Sequence, residues 1–213
     1  MGTFLSLSGV VGSRREDVER AVRSFALKQG GNFEAAPELK HTTSSSEITV
    51  INTAGDRTLV LYPSSFEKWD AVSAHISAEL GCAAFSFHIH DGDLWMFILF
   101  RSGAEMAWFN PRPDYWGDIS DGERKKWAGE AAAICAAVPG LPKASIERYF
   151  LPWSEDLMST ETKAYPDDEW SYGIDWQMVD FMRRLGFVYP IKNGEIIGTT
   201  YRLYLPRVQS SPR

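Results

Sequence analysis

The sequence predicts an α+β fold in which a ferredoxin-like βαββαβ start is extended into a larger, antiparallel-dominated sheet. The first observation is that strand and helix patterns alternate in this order, which is the order of a split βαβ unit. The second is that two more strand patterns follow without a helix between them, as in a meander. The third is the composition, 44% hydrophobic and 23% charged over 213 residues, which is typical of a globular protein.

The first strand and the first helix are marked by local signals. Residues 3–11 are β-prone, and Ser13 followed by Glu16 matches a capping box at the start of a helix. Apolar residues then recur at helical spacing until Gly30, where the helix should end. Residues 34–46 are polar and contain a proline, so they predict a loop.

A hairpin and a second helix should complete the opening unit. Residues 47–52 and 57–62 are rich in strand-forming side chains, and the segment between them has turn composition. Residues 66–80 then show apolar side chains at helical spacing, and Gly81 should close that helix.

Three further strands should form a meander, over residues 82–90, 93–100 and 104–109. Between the first two, Asp91-Gly92 predicts a two-residue type I′ turn, because both residue types tolerate the positive φ that this turn requires. Such a turn sets the register of the whole hairpin.

This register sorts the side chains of the meander onto two faces. His90 should pair with Asp93, and Phe87 with Met96. One face is then wholly apolar and should lie under the two early helices: Phe85, Phe87, Ile89, Leu94, Met96, Ile98 and Phe100. The other face is too aromatic to be left in solvent, so we expect the C-terminal half to cover it.

The C-terminal half should supply this cover as helices and a hairpin. Residues 1–118 would form the βαββαβββ core and residues 119–213 the cover, within one domain spanning 1–213, because no linker separates the two parts. Capping, apolar spacing and turn signals predict a helix from a Ser120/Glu123 capping box to Val138, a last helix over 170–185, a turn at Asn193-Gly194 and a closing strand over 199–205.

Charge and cysteine content argue against several classes of function. The net charge is −6 without a basic stripe, which argues against nucleic-acid binding. It would suit a basic protein partner, but the simpler interpretation is that it serves solubility. The two cysteines, Cys82 and Cys135, form no Cys-x-x-Cys pair, as expected for a reduced cytoplasmic chain. No apolar run reaches the roughly 18 residues of a membrane span, so no membrane association is expected.

Two histidines and an aspartate in the hairpin are candidate metal ligands. His88, His90 and Asp93 would share one face, and His-x-His on a strand is common at zinc sites. The pattern departs from the His-x-His-x-Asp-His run of metallo-hydrolases, because Gly92 and Asp93 occupy the last two places. The competing interpretation is structural: His90 and Asp93 clasp the hairpin end, and His88 packs on Trp95.

Residues 80–118 resemble a pattern of uncharacterised bacterial proteins. That pattern is a His-Asp-x-Asp hairpin, a Gly turn, a further strand, and then Asn-x-x-Pro-Asp-Tyr with an aromatic residue. The matching positions here are His90, Asp91, Asp93, Gly103, Asn110, Pro113, Asp114, Tyr115 and Trp116. The resemblance implies an interaction or immunity-type protein rather than an enzyme, and it brings no catalytic residue.

The return of this segment toward the sheet defines a candidate binding face. Tyr115 or Trp116 should lie across His88 and Trp95. The candidate face consists of His88, Trp95, Phe97, Trp108, Tyr115 and Trp116.

Three functions remain open at this point. The first is a non-catalytic cytoplasmic binding module, of immunity or inhibitor type, that meets a basic protein partner. The second is a metal-dependent hydrolase that uses His88, His90 and Asp93. The third is a small-ligand binder that uses the aromatic sheet face. The sequence lacks a nucleophile elbow, a P-loop and a dinucleotide-binding motif, so neither a catalytic residue nor a cofactor is predicted.

Overall fold

An antiparallel sheet of eight strands organises the protein. The computed structural model describes residues 2–41 and 48–206. The strands are β1 (Leu5–Val11), β2 (Asn32–Ala35), β3 (Thr49–Ala54), β4 (Arg57–Leu61), β5 (Ala83–His90), β6 (Leu94–Arg101), β7 (Ala104–Phe109) and β10 (Thr199–Tyr204). A separate hairpin is formed by β8 (Ile191–Lys192) and β9 (Glu195–Ile196).

Among the described residues, two α-helices belong to the opening unit and four to the C-terminal half. They are α1 (Arg15–Lys28), α2 (Trp69–Leu80), α3 (Asp121–Lys126), α4 (Ala131–Ala137), α5 (Glu155–Ser159) and α6 (Gln177–Arg184). The first helix starts later than predicted, since Arg14 rather than Ser13 precedes its first turn, so the predicted capping box there is wrong. The capping box of Ser120 with Glu123 is confirmed at α3.

The middle of the sheet has the strand order of a ferredoxin-like unit. The full order is β2-β10-β3-β4-β1-β5-β6-β7. In it, β1 lies between β4 and β5 and is antiparallel to both, while α1 and α2 supply the two crossovers. β6 and β7 continue the sheet as the predicted meander. The α+β class with a large antiparallel sheet is therefore confirmed.

The last strand of the chain enters the sheet beside its second strand. β10 pairs with β2 on one side and with β3 on the other. The prediction of a loop over 34–46 is wrong at its start, because residues 34 and 35 belong to β2. In this strand buried Phe33 stacks on Tyr201 of β10 at 4.6 Å between ring centroids. This strand buries only one side chain and takes its partner from the far end of the chain, so its local pattern is weak. Residues 42–47, predicted to continue that loop into a strand, lie outside the described residues.

The sheet separates two cores. The core under α1 and α2 is the smaller: Val10, Val18, Ala21, Val22, Phe25, Ala26, Phe33, Ile51, Val60, Tyr62, Phe66, Val72, Ile76, Ala84 and Tyr201. The core on the other face joins the sheet to the C-terminal half, and includes Phe85, Phe87, Ile89, Trp95, Phe97, Leu99, Phe109, Tyr149, Met178, Phe181 and Phe187. The predicted cover by the C-terminal half is thus present over Trp95, Phe97 and Leu99, as expected. It also covers Phe85, Phe87 and Ile89, which were predicted to lie under α1 and α2.

The register of the β5–β6 hairpin differs from the prediction by one residue. Asp91 and Gly92 do have the expected positive φ, 52° and 75°. The strands nevertheless pair His90 with Leu94 and Phe87 with Phe97, not with Asp93 and Met96. Because side chains alternate along a strand, a slip of one residue changes which side chains of β6 share a face with those of β5, so that Trp95 and Phe97 lie on the same face as Phe87.

The assignment of the apolar face of β5 to the early helices is also wrong. Phe85, Phe87 and Ile89 lie under the C-terminal half, whereas His88 faces α2 and stacks on Trp69. The buried face of α2 includes Ser73 and Ser77 beside Val72 and Ile76, and the serines match the polar side chains of β1 and β5 rather than phenylalanines. Two hydrogen bonds join α2 to the sheet: the hydroxyls of Ser8 and Ser73 lie 2.6 Å apart, and the Ser86 hydroxyl donates to the Asp70 carboxylate at 2.6 Å. Buried polar groups require such partners.

The predicted long helix after Ser120 is broken in two. Between α3 and α4 the chain runs along the edge of β7, where Asn110 N donates to Trp127 O and Gly129 N to Trp108 O. Gly129 has a φ of 75°, a conformation that ends a helix. The backbone of residues 127–129 thereby covers the outer edge of the sheet, which would otherwise expose unpaired groups.

The last predicted helix and turn are largely present. The helix begins at Gln177 rather than at residue 170. The turn at Asn193-Gly194 is confirmed, with φ of 53° and 79°, and it pairs Ile191 with Ile196. Within the part of the chain that the structure describes, no helix has the length and apolar character needed to cross a bilayer.

Candidate binding site

The six residues of the predicted binding face do not share one surface. Trp95 and Phe97 are fully buried in the core that the C-terminal half covers. The Trp95 indole Nε1 donates to Gln177 Oε1 at 3.3 Å, and Phe97 stacks on Phe181 at 5.3 Å. These two aromatic residues are therefore packing residues and offer nothing to a ligand.

Trp108 lies on β7, away from the hairpin tip. Its ring packs against Trp127 at 4.7 Å, and Lys126 Nζ lies 3.1 Å from the centre of the ring. A cation on an indole face at this distance is a favourable contact. The ring of Trp108 is thus already in contact with residues of its own chain.

Tyr115 and Trp116 do meet the hairpin, but at its tip. Trp116 lies 5.0 Å from the ring of His90 and Tyr115 lies 5.9 Å from it, and Phe4 contacts the same imidazole from another side at 5.2 Å. We call these four residues the tip cluster: Phe4, His90, Tyr115 and Trp116. Trp116 is 57% exposed and Phe4 41% exposed.

A short hydrogen-bonded turn holds Tyr115 and Trp116 in place. The buried Asn110 accepts through Oδ1 from the backbone N–H of Arg112 at 2.8 Å, and Tyr115 N donates to Arg112 O at 3.0 Å. The Tyr115 hydroxyl donates to Asp93 at 2.5 Å, which raises the pKa of the phenol. The Pro-Asp-Tyr segment is therefore fastened to the hairpin, but across His90 rather than across His88 and Trp95 as predicted.

Carboxylates surround the exposed rings. Asp91 and Asp93 are exposed at the hairpin tip, and Asp114 is exposed one residue before Tyr115. Asp114 forms a 3.1 Å ion pair with Arg124, which lowers the pKa of the carboxyl, and Asp93 accepts from Tyr115. The tip thus combines exposed aromatic surface with acidic groups.

An aromatic cleft lies next to the tip cluster. We call it the aromatic cleft, and its volume is about 490 Å³. Its lining consists of Phe4, Ser64, Ser65, Phe66, Glu67, Trp69, His88 and His90. Sequence reasoning missed the cleft, because Phe4, the Phe66–Trp69 segment and the end of β5 with His88 are three separate parts of the chain. The signal available was the pair of aromatic residues, Phe66 and Trp69, in the segment that leads into α2.

His88 is the most constrained side chain of the cleft. It is 3% exposed, stacks on Trp69 with ring centroids 4.1 Å apart and planes 4° from parallel, and places Nδ1 3.1 Å from Ser6 Oγ. Burial, aided by the neighbouring His90, lowers the pKa of His88 to about 4. The imidazole is therefore neutral at physiological pH. Its buried Nε2 has no hydrogen-bond partner among the described residues.

This burial predicts an acid-sensitive contribution to stability. The unfolded chain protonates His88 near pH 6.5, whereas the folded chain does so near 4. Stability is therefore unaffected above about pH 6.5 and falls as the pH drops toward 4, by up to about 3 kcal/mol. Urea unfolding between pH 7 and 4.5 should show this loss relative to His88→Phe, which lacks the titrating group. Equal pH dependence of the two proteins would contradict the assignment of this effect to His88. The variant His90→Gln, used as a control, should still lose stability as the pH falls.

The hairpin residues do not assemble as a metal site. The imidazoles of His88 and His90 are 5.9 Å apart between centroids, and Asp93 is bonded to Tyr115. Across residues 2–41 and 48–206, no three His, Cys, Asp or Glu side chains are placed to hold a metal ion. The predicted clasp of His90 with Asp93 is wrong as well, because His90 pairs with Leu94.

The fold and the tip cluster together describe an α+β protein with a ferredoxin-like opening unit and an aromatic, acidic surface. Comparison of the chain with protein-family models, with curated proteins and with solved structures found no match.

Proposed function

We propose that the protein is a non-catalytic binding module that recognises a basic segment of a protein partner through the tip cluster. The observation that carries the proposal is the exposure of Trp116 and Phe4 beside the carboxylates of Asp91 and Asp93. Exposed tryptophan is enriched among the residues that dominate binding energy at protein interfaces. A net charge of −6 adds long-range attraction for a basic partner.

A more specific form of this proposal is an immunity or inhibitor role in a bacterial cytoplasm. It is supported by the resemblance of residues 80–118 to the His-Asp-x-Asp pattern and by the acidic surface at the same hairpin. Such a protein inhibits by covering a basic surface of its target, which needs shape and charge but no chemistry of its own.

The test is binding of basic peptides to the wild-type protein and to Trp116→Ala. Peptides selected from a random display library should be enriched in Arg and Lys, and their affinity should fall with added salt. Replacement of Trp116 should weaken binding by about tenfold or more, which is the scale of a buried aromatic anchor. The unfolding midpoint should stay the same, since this side chain is largely exposed.

Leu27→Ala provides the matched control. Leu27 is also an exposed apolar residue, but it lies on α1, outside the tip cluster. Its replacement should leave peptide affinity unchanged. Selection of neutral or acidic peptides, or equal affinity of Trp116→Ala and the wild type, would rule the proposal out.

A further inference from the structure

The aromatic cleft contains an unsatisfied buried acceptor or donor. His88 is almost fully buried and lines the cleft, and its Nε2 has no partner among the residues the structure describes. Its other ring nitrogen is already engaged, with Nδ1 3.1 Å from Ser6 Oγ. A buried polar atom without a partner lowers stability, so such an atom in a side chain that lines a cleft indicates a place that a ligand completes.

The walls of the cleft define the chemistry of that ligand. Phe4 is the exposed aromatic residue of the lining, and Glu67 is its acidic residue. Phe66 is buried against Tyr62, and Trp69 stacks one face on His88. Aromatic faces attract cations, and a carboxylate at the rim opposes an anion. A flat guanidinium fits best, because it stacks on aromatic rings and carries five N–H donors in a fixed plane.

We infer that the aromatic cleft receives an arginine side chain, whose guanidinium donates to His88 Nε2 and to the carboxylate of Glu67. This inference rests on the proposed function, for which it names the partner residue. The bound cation selects the tautomer in which Nδ1–H donates to Ser6, because Nε2 then presents its lone pair to the ligand.

The position of the cleft agrees with that role. Phe4 and His90 belong both to the cleft and to the tip cluster, so the two form one continuous surface. A basic segment that lies across Trp116 can therefore place one side chain in the cleft. The tip cluster would supply an exposed apolar contact for the segment, and the cleft would select for arginine.

The experiment is an NMR titration of the full chain labelled with ¹⁵N at the histidine rings. The probe is N-acetyl-L-arginine methylamide, and N-acetyl-L-citrulline methylamide is its neutral isostere. The His88 Nε2 resonance should shift saturably with the arginine compound, with a Kd in the millimolar range expected for a ligand of this size. The citrulline compound should bind at least about fivefold more weakly, because it lacks the charge.

Two glutamate variants make the test specific. Glu67→Gln should raise the Kd of the arginine compound by about fivefold to tenfold, as for loss of a charged hydrogen-bond partner. Glu195→Gln, an exposed residue of β9, should leave it unchanged. Equal response to arginine and citrulline, or no saturable shift up to about 50 mM, would overturn the inference.

The two proposals fail separately. If basic peptides bind and depend on Trp116 but the His88 resonance does not move with the arginine compound, the cleft is not the arginine site and the binding function stands. If the arginine compound shifts the His88 resonance but the affinity for basic peptides is the same for Trp116→Ala and the wild type, the tip cluster is not the peptide-binding site and the proposed function fails.

Discussion

Replacement of Asp168 by alanine should lower the free energy of unfolding by about 3–5 kcal/mol, which is the scale for breaking a buried charge pair. The side chain of Asp168 is fully buried. It accepts from the Tyr149 hydroxyl at 2.7 Å, from the backbone N–H of Tyr165 at 2.9 Å and from Arg184 at 2.8 Å. These bonds fasten the segment around residue 168 to α6.

The expected loss of stability is large because Tyr149 and Arg184 would each lose their buried hydrogen-bond acceptor. Burial, together with the bond to Asp168, raises the pKa of the Tyr149 hydroxyl, which therefore stays neutral and needs its acceptor. Arg184 would keep its contact with the exposed Asp167 but lose its buried partner. Loss of this anchor would also loosen α6, whose Phe181 packs on Phe87 and Phe97 of the sheet.

Urea unfolding followed by circular dichroism measures this effect. Asp168→Asn keeps the shape of the side chain but removes its charge, and its free energy of unfolding should lie between those of the wild type and Asp168→Ala. The comparison distinguishes the contribution of the charge from that of the hydrogen bonds. Asp118→Ala replaces an exposed aspartate and should change stability by no more than about 0.5 kcal/mol. A midpoint for Asp168→Ala equal to that of Asp118→Ala would show that the network contributes nothing.

Replacement of Gly9 by valine should destabilise the protein by at least about 3 kcal/mol, at the upper end of the effects of overpacking a core. Gly9 lies in β1, at the centre of the sheet. A Cβ atom there would come within 2.8 Å of ring atoms of both Phe87 and Phe187. Both rings are buried and packed against each other at 6.0 Å, so neither can move aside without displacing its neighbours.

A second glycine serves as the control. Gly122 lies in α3, and the nearest atom to an added Cβ is 3.9 Å away. Gly122→Ala should therefore be neutral or stabilising, by up to about 1 kcal/mol from helix propensity. Thermal unfolding of the two variants side by side tests the prediction. A melting temperature of Gly9→Val within a degree or two of the wild type would contradict the steric argument.

Much of the fold could be predicted because its elements carry local signals. The helices of the opening unit show apolar residues at helical spacing, and α2 ends at Gly81 in the left-handed conformation as expected. The Asn193-Gly194 turn and the Ser120 capping box are each encoded by a few neighbouring residues. Such features need no knowledge of distant contacts, which is why the strand order of the ferredoxin-like unit followed from them.

The candidate site was predicted only in part. The approach of Tyr115 and Trp116 to the hairpin was anticipated from the proline-rich segment that returns to the sheet, and both residues lie there. The aromatic cleft was not anticipated, since it is assembled from the chain before β1, the segment before α2 and the end of β5. The spacing of residues within one segment cannot show that three distant segments come together in the fold.

The sequence by itself determined the α+β class, the order of the opening unit and the positive-φ turn at Asp91-Gly92. The tertiary structure decided which face each strand presents, because a one-residue slip costs little locally but exchanges the faces of β5 and β6 relative to each other. It also decided that β10 joins β2 and β3, and that His88 faces α2 rather than Trp95. These outcomes depend on which apolar and polar surfaces fit together in space, and that fit is a property of residues far apart in the chain.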